Sequence, residues 1–178
     1  MSSEKYVNAK VLRVNVGFIM AQPVGFTREL AIEVPSLLRV AEDLTLGHFY
    51  ATLQLSQAHG GVLVQGTVET SVLTECSRCV DNIWLPVEFS VQEVFDTNDN
   101  LNTEYKIDDN NVIDLAPLVR EEALLHVPMT TPVDQDQRCL FCERTFHDVL
   151  RDIGMGDEID PRFEILKSLR NQLDNSQD

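Results

Sequence analysis

The sequence predicts an α+β fold: an antiparallel β-sheet or partial barrel, a few short helices and an irregular segment bearing cysteines. Three observations predict it. Runs with strand period fill the first half of the chain, helix signals return only after residue 112, and the four cysteines fall into two close pairs far apart in sequence. At 178 residues, 43% apolar and 24% charged, the chain is long enough for one domain with its own core.

The elements follow in order. Residues 15–21, NVGFIMA, predict a short helix capped by Asn15 and ended by Pro23 and Gly25, with Gly17 weakening it. TRELAIEV (27–34) alternates polar and apolar residues and predicts a strand. HFYATLQLSQ (48–57) and GVLVQGTVETSVLTE (61–75) are rich in β-branched and aromatic residues. They flank Ala58, His59 and Gly60, so they predict a hairpin. NIWLPVEFSVQEVF (82–95) predicts a further strand, with Pro86 at an edge or bulge because proline has no N–H for a ladder.

Residues 96–111 are rich in Asp and Asn and read as a mobile loop. Asp114 is placed to cap the helical run LAPLVREEALLHV, with Pro117 in its first turn and Leu115, Leu118, Glu122 and Leu125 on one face. Pro128 stops it. An irregular segment near 130–158 follows. Asp160-Pro161 opens a last helix, near 160–174, whose apolar contacts are Phe163, Leu166, Leu169 and Leu173.

The cysteine pairs are Cys76-Ser-Arg-Cys79 and Cys139-Leu-Phe-Cys142. A two-residue gap lets a tight turn aim both thiolates at one ion about 2.3 Å away, and two such turns complete a tetrahedron. The spacing predicts one structural Zn2+ per chain on Cys76, Cys79, Cys139 and Cys142, a zinc-knuckle site joining the end of the hairpin to the late irregular segment. Arg78, Arg138 and Arg144 lie beside these cysteines, where a cation lowers a thiol pKa. They are also the candidate binding residues. The competing readings are free buried cysteines and a redox-sensing or thiol-disulfide pair of CxxC motifs. A catalytic zinc fits less well, because four cysteines close the position a substrate water needs.

Other chemistry-bearing residues have plainer readings. His147, five residues past Cys142, could replace a ligand but reads as a surface histidine. His59 belongs to a turn, and His126 to a helix end near the C-terminal dipole. Glu121 and Glu122 read as a solvated helix face. Asp96, Asp99, Asp108 and Asp109 lack the spacing of a calcium loop. With no phosphate-cradling glycine loop, nucleophile elbow or metalloprotease motif, the sequence points away from an enzyme.

The net charge is −15. It argues against naked nucleic acid as a tight ligand, since duplex binding requires clustered Lys and Arg. It fits a basic protein partner or simply a soluble surface. There is no apolar signal-peptide core near the N-terminus and no run approaching a membrane span, so the expectation is a cytoplasmic protein with no membrane partner.

Four segments carry a resemblance: QPVGFTRE (22–29), GVLVQGTVETSVLTECSRC (61–79), IDLAPLVREEALLHVPMTTP (113–132) and IDPRFEILKSL (159–169). In these the chain resembles the bacterial YceD family of large ribosomal RNA subunit accumulation proteins, as a single domain over 1–178. The resemblance implies a role in accumulation or processing of the large-subunit ribosomal RNA, with no established catalytic activity. It carries over directly to Cys76 and Cys79. Relatives have a longer second stretch, C-x-G-L-C-x-x-C-G. Here Val133 and Asp136 stand where further cysteines are expected, and Glu143 stands in place of the last glycine.

Overall fold

The computed structural model of the protein describes residues 6–97 and 103–155. The helix predicted near 160–174 lies outside them. Among the described residues the fold is α+β and dominated by strands. In chain order the strands are β1 (Val7–Asn8), β2 (Arg13–Asn15), β3 (Thr27–Val34), β4 (Leu38–Arg39), β5 (Thr45–Ala58), β6 (Gly61–Glu75), β7 (Asn82–Asp96) and β8 (Val112–Asp114). The helices are α1 (Gly17–Met20), α2 (Ala116–His126) and α3 (Phe146–Asp152), with a 3-10 turn over Ala9–Leu12.

The main sheet runs β1-β4-β5-β6-β7, with β3 pairing with β5 along the same edge as β4. All its pairings are antiparallel except β1 with β4. It stays open, with no closed barrel among the described residues. The long β5–β6 hairpin turns on His59 and Gly60, with Ala58 opposite Gly61. Gly60 has φ +86°, a left-handed value glycine adopts without a Cβ clash. Pro86 sits on the last strand of the ladder, where its missing N–H leaves no partner strand unsatisfied.

Strict alternation gives the sheet one buried face. Phe49, Ala51, Leu53 and Leu55 of β5, Val62, Val64 and Val68 of β6, and Leu85, Val87, Phe89 and Val91 of β7 all point inward. Leu115, just before α2, and Leu118 and Val119 within it close over the centre of this face, leaving a void of only about 10 Å³. The buried side of α2 is Ala116, Leu118, Val119 and Ala123, whereas Leu125 is 77% exposed. Leu125 thus stays on the face predicted for it but is not buried there. Seven residues beyond Leu118 the helix has rotated by nearly two full turns, but Pro128 ends it before a further element can cover that position.

Two other expectations change. Asp114 does accept the N–H of Ala116 at 3.0 Å, but as the last residue of β8, with Leu115 between it and the helix. β8 pairs with β2, a two-stranded sheet the sequence did not announce. The described part of the predicted loop, 103–111, is pinned. Lys106 bridges to Asp96, Ile107 is buried and bridges to Ile113, and Asp108 Oδ1 accepts the N–H groups of Asn110 and Val112. Asp and Asn here build a tight turn through side chain-to-backbone bonds. No helix among the described residues is long and apolar enough to cross a membrane.

Candidate metal centre

β6 delivers Cys76 directly after its last residue, and β7 leaves again at Asn82. Between them the chain makes a knuckle. The Val80 N–H donates to the Cys76 carbonyl at 3.0 Å, and the Cys76 N–H donates to the Asp81 carbonyl at 2.8 Å. The second pair repeats the pattern. The Glu143 N–H donates to the Cys139 carbonyl at 2.9 Å, and the Cys139 N–H donates to the Arg144 carbonyl at 3.0 Å. Val80 and Glu143 both lie in the left-handed region, at φ +63° and +57°. Two stretches sixty residues apart thus adopt the same turn, each aiming its thiols toward the other.

The segment before the second knuckle is more regular than expected. Val133 bridges to Cys139, the Asp134 N–H donates to the Arg138 carbonyl, and the Arg138 N–H donates back to Asp134 Oδ1, around a turn with Gln137 at φ +61°. Val133, where relatives are expected to have cysteine, is therefore a ladder residue packed beside the site.

The sulfurs converge. Cys76 Sγ lies 3.8 Å from Cys139 Sγ and 3.6 Å from Cys142 Sγ, and Cys79 Sγ lies 3.4 Å from Cys142 Sγ. Cys76, Cys139 and Cys142 are mutually within 4.8 Å, and Cys79 joins through its contact with Cys142. Four sulfurs about 2.3 Å from one tetrahedral ion would stand about 3.8 Å apart. All four cysteines are free, and the close approaches run between knuckles. Cys76 and Cys139 are buried with Ile83 and Leu85 in a small apolar cluster of their own. Val127, after α2, packs against both this cluster and the main core.

Burial raises the Cys76 thiol, but the N–H groups of Cys79 and Arg78 and the Thr131 hydroxyl together outweigh it and bring it down to about 6. Burial pushes Cys142 up to about 12, and it also raises Cys79. Crowded sulfurs cannot all ionise unaided. A divalent cation inverts that balance through its own charge. The donor set, all thiolate and half buried, fits Zn2+ in a closed structural site.

Thr131 is the residue sequence reasoning missed. It is buried, its Oγ1 accepts the Ser77 N–H at 2.8 Å, its own N–H donates to Ser77 Oγ at 3.1 Å, and its hydroxyl lies 3.6 Å from Cys76 Sγ. It fastens the segment before the second knuckle to the first. The only hint was its place in MTTP, within a segment that carries the resemblance. Of the arginines, Arg78 reaches Gln137 Oε1 at 3.5 Å, and Arg144 pairs with Asp81 at 3.6 Å and with Asp152. Arg138 is exposed. All three border the knuckles, and Arg144 is held by one carboxylate from the first knuckle, Asp81, and one from the end of α3, Asp152. His147 is exposed on α3 and is not among the grouped ligands. His126 ends α2, its Nδ1 2.9 Å from the Glu122 carbonyl and its ring stacked on Phe89. Glu121 accepts the Tyr105 hydroxyl at 2.5 Å.

The left-handed positions give a first test. An L-residue there costs about 1–2 kcal/mol, more for a β-branched one. In protein loaded with Zn2+, Val80→Gly and Glu143→Gly are expected to slow release of the ion to a chelator by about fivefold, with the larger effect in Val80→Gly. Faster loss in both variants would show that the knuckle turns do not limit the site.

An open, strand-rich sheet ending in paired cysteine knuckles defines an α+β class of candidate metal-binding domain. The family model for the large ribosomal RNA subunit accumulation protein YceD matches residues 64–170, more than half of the chain and all four cysteines. The chain belongs to this family. A Bacillus subtilis (strain 168) protein described as uncharacterized protein YlbN is 30% identical over 115 residues, covering 62% of this chain and 67% of that one. No solved structure matches the chain.

Proposed function

We propose that the protein is a cytoplasmic, non-catalytic adaptor in accumulation of the large-subunit ribosomal RNA, with a structural Zn2+ on Cys76, Cys79, Cys139 and Cys142. The family supplies the process. The observation that carries the rest is the matched pair of knuckles, which leaves a four-thiolate ion no open position for a reacting water. Zinc then holds the late segment to the sheet. The work falls to the surface, whose charge of −15 suits a basic ribosomal or processing protein better than phosphate. A thiol-disulfide role would place the sulfurs of each CxxC against each other, whereas the close sulfur contacts run across the pairs.

The test is affinity isolation at moderate salt, together with filter binding to large-subunit RNA fragments. The expected result is recovery of basic ribosomal or processing proteins, and no tight binding to naked RNA. Tight RNA binding by the protein alone, lost in Arg78→Ala or Arg144→Ala, would replace the adaptor with a direct RNA contact at the knuckles.

A further inference from the structure

Helices α1 and α2 pack on one face of the sheet, and no described element covers the other. This outer face is uneven. Across its middle runs a row of small residues, Thr52 opposite Thr67 and Thr67 opposite Ser90, and the surface sinks there into a depression of about 530 Å³. Two residues along each strand, about 7 Å away, the depression is bordered by Glu29, Gln54, Gln65 and Gln92 in register. Gln65 Nε2 donates to Gln54 Oε1 at 2.7 Å, which leaves the Gln65 carbonyl and the Gln54 amide for another molecule.

The opposite border is charged. In register across four strands stand Glu33, Tyr50, Glu69 and Glu88. Glu69 and Glu88 face each other directly, an arrangement that destabilises a sheet when both are ionised. Tyr50 is 43% exposed between Glu33 and Glu69. None of the four side chains has a hydrogen bond or ion pair among the described residues. Although the chain has fourteen basic residues, β5, β6 and β7 contain none.

We propose that this outer face docks a basic, arginine-bearing polypeptide in extended conformation, its backbone lying in the depression along the threonine–serine row beside the glutamine amides, and one guanidinium stacking on Tyr50 between the Glu33 and Glu69 carboxylates. The inference rests on the adaptor reading and gives it a surface. Arginine fits better than lysine because a planar guanidinium both stacks on an aromatic ring and forks onto carboxylates. The glutamine amides match the alternating N–H and C=O of an extended backbone. A second copy of the chain would bring like charge onto like charge, and RNA would be repelled outright.

The experiment uses the full chain and a short fluorescein-labelled peptide alternating arginine with serine, followed by anisotropy at low ionic strength. The wild type is expected to bind it at least severalfold more tightly than the lysine–serine counterpart. Glu69→Gln with Glu88→Gln is expected to weaken binding about tenfold while raising the melting temperature, since removing like-charge repulsion stabilises the sheet. Tyr50→Ser should remove the preference for arginine over lysine. A control, Asp134→Asn with Asp136→Asn, changes the charge equally beside the knuckles and should leave binding nearly intact. Equal losses in control and test variants, no binding by the wild type, or a dimer through this face in sedimentation would each overturn the proposal. If affinity isolation still recovers the same basic proteins with the Glu69→Gln, Glu88→Gln protein, the docking face is wrong and the adaptor reading stands. If the wild type recovers none, the adaptor reading itself fails.

Discussion

Cys139→Ser is expected to reduce bound zinc from about one ion per chain to almost none, and to open the segment around 130–155 to proteases while the sheet stays folded. Cys139 is 1% exposed, 3.8 Å from Cys76 Sγ, and its sulfur accepts the Phe141 N–H at 3.4 Å. A serine hydroxyl there is a poor ligand for a soft-leaning ion and would remain protonated at neutral pH. Structural sites of this kind contribute their binding energy to folding, so the loss falls on whatever the ion alone holds. On the proposed site that is chiefly the second knuckle and α3, which the Thr131–Ser77 bonds and the Arg144–Asp81 pair otherwise tie to the first knuckle. No residue of α3 is buried, and its own support is the capping box between Thr145 and Asp148. The main core, by contrast, shares only Val127 with the knuckle cluster among the described residues. Limited proteolysis with metal analysis checks both halves. Full zinc content in Cys139→Ser, or a wild type purified without metal and with its four cysteines oxidised, would remove the structural zinc. His147→Ala serves as the control and should keep its ion, since His147 sits on the exposed side of α3. Acid should release the metal as well, because thiolates bind zinc in competition with protons.

The sequence made the long strands legible because their alternation is strict. TRELAIEV coincides with β3 and the second hairpin run with β6, while the first hairpin run and the strand after the hairpin fall short of β5 and β7 only by a few residues at their ends. Alternation reports which residues face a core, and that is decided locally. The cysteine spacing was legible for the same reason, since a knuckle is a property of four consecutive residues. What stayed hidden depends on partners distant in sequence. β8 is three residues long and exists because β2 lies beside it, almost a hundred positions earlier. The buried side of α2 follows from where the sheet approaches it, which no helical period reveals. Thr131 holds Ser77 across fifty-four positions, and nothing near MTTP marks it as a fastening. The acidic row on the outer face is of the same kind. Glu33, Glu69 and Glu88 are scattered single charges until register places them side by side.

Gly66→Ala is expected to destabilise the protein by about 3 kcal/mol, lowering its melting temperature by about 10 °C. A Cβ built on Gly66 would lie 2.1 Å from the Thr52 carbonyl oxygen and 2.9 Å from Leu53 Cα. Both are backbone atoms of β5, so no rotamer change relieves the contact. β5 is itself held on its other side by β3 from Phe49 to Ser56, and β6 is held on its other side by β7 along its whole length. The clash therefore has to be absorbed by parting the two central strands of the ladder, which loosens the inward row of Leu53 and Val91 on either side of Gly66. Gly25→Ala separates this close approach from the ordinary effect of losing a glycine. Gly25 has φ +91° with nothing within 4 Å of an added Cβ, so its replacement carries only the backbone strain, about 1 kcal/mol. Urea unfolding of both variants reads the difference as a shift in midpoint at unchanged slope. A Gly66→Ala midpoint no lower than that of Gly25→Ala would mean that the strands part without loss, and that the paired centre of the sheet is not what fixes its register.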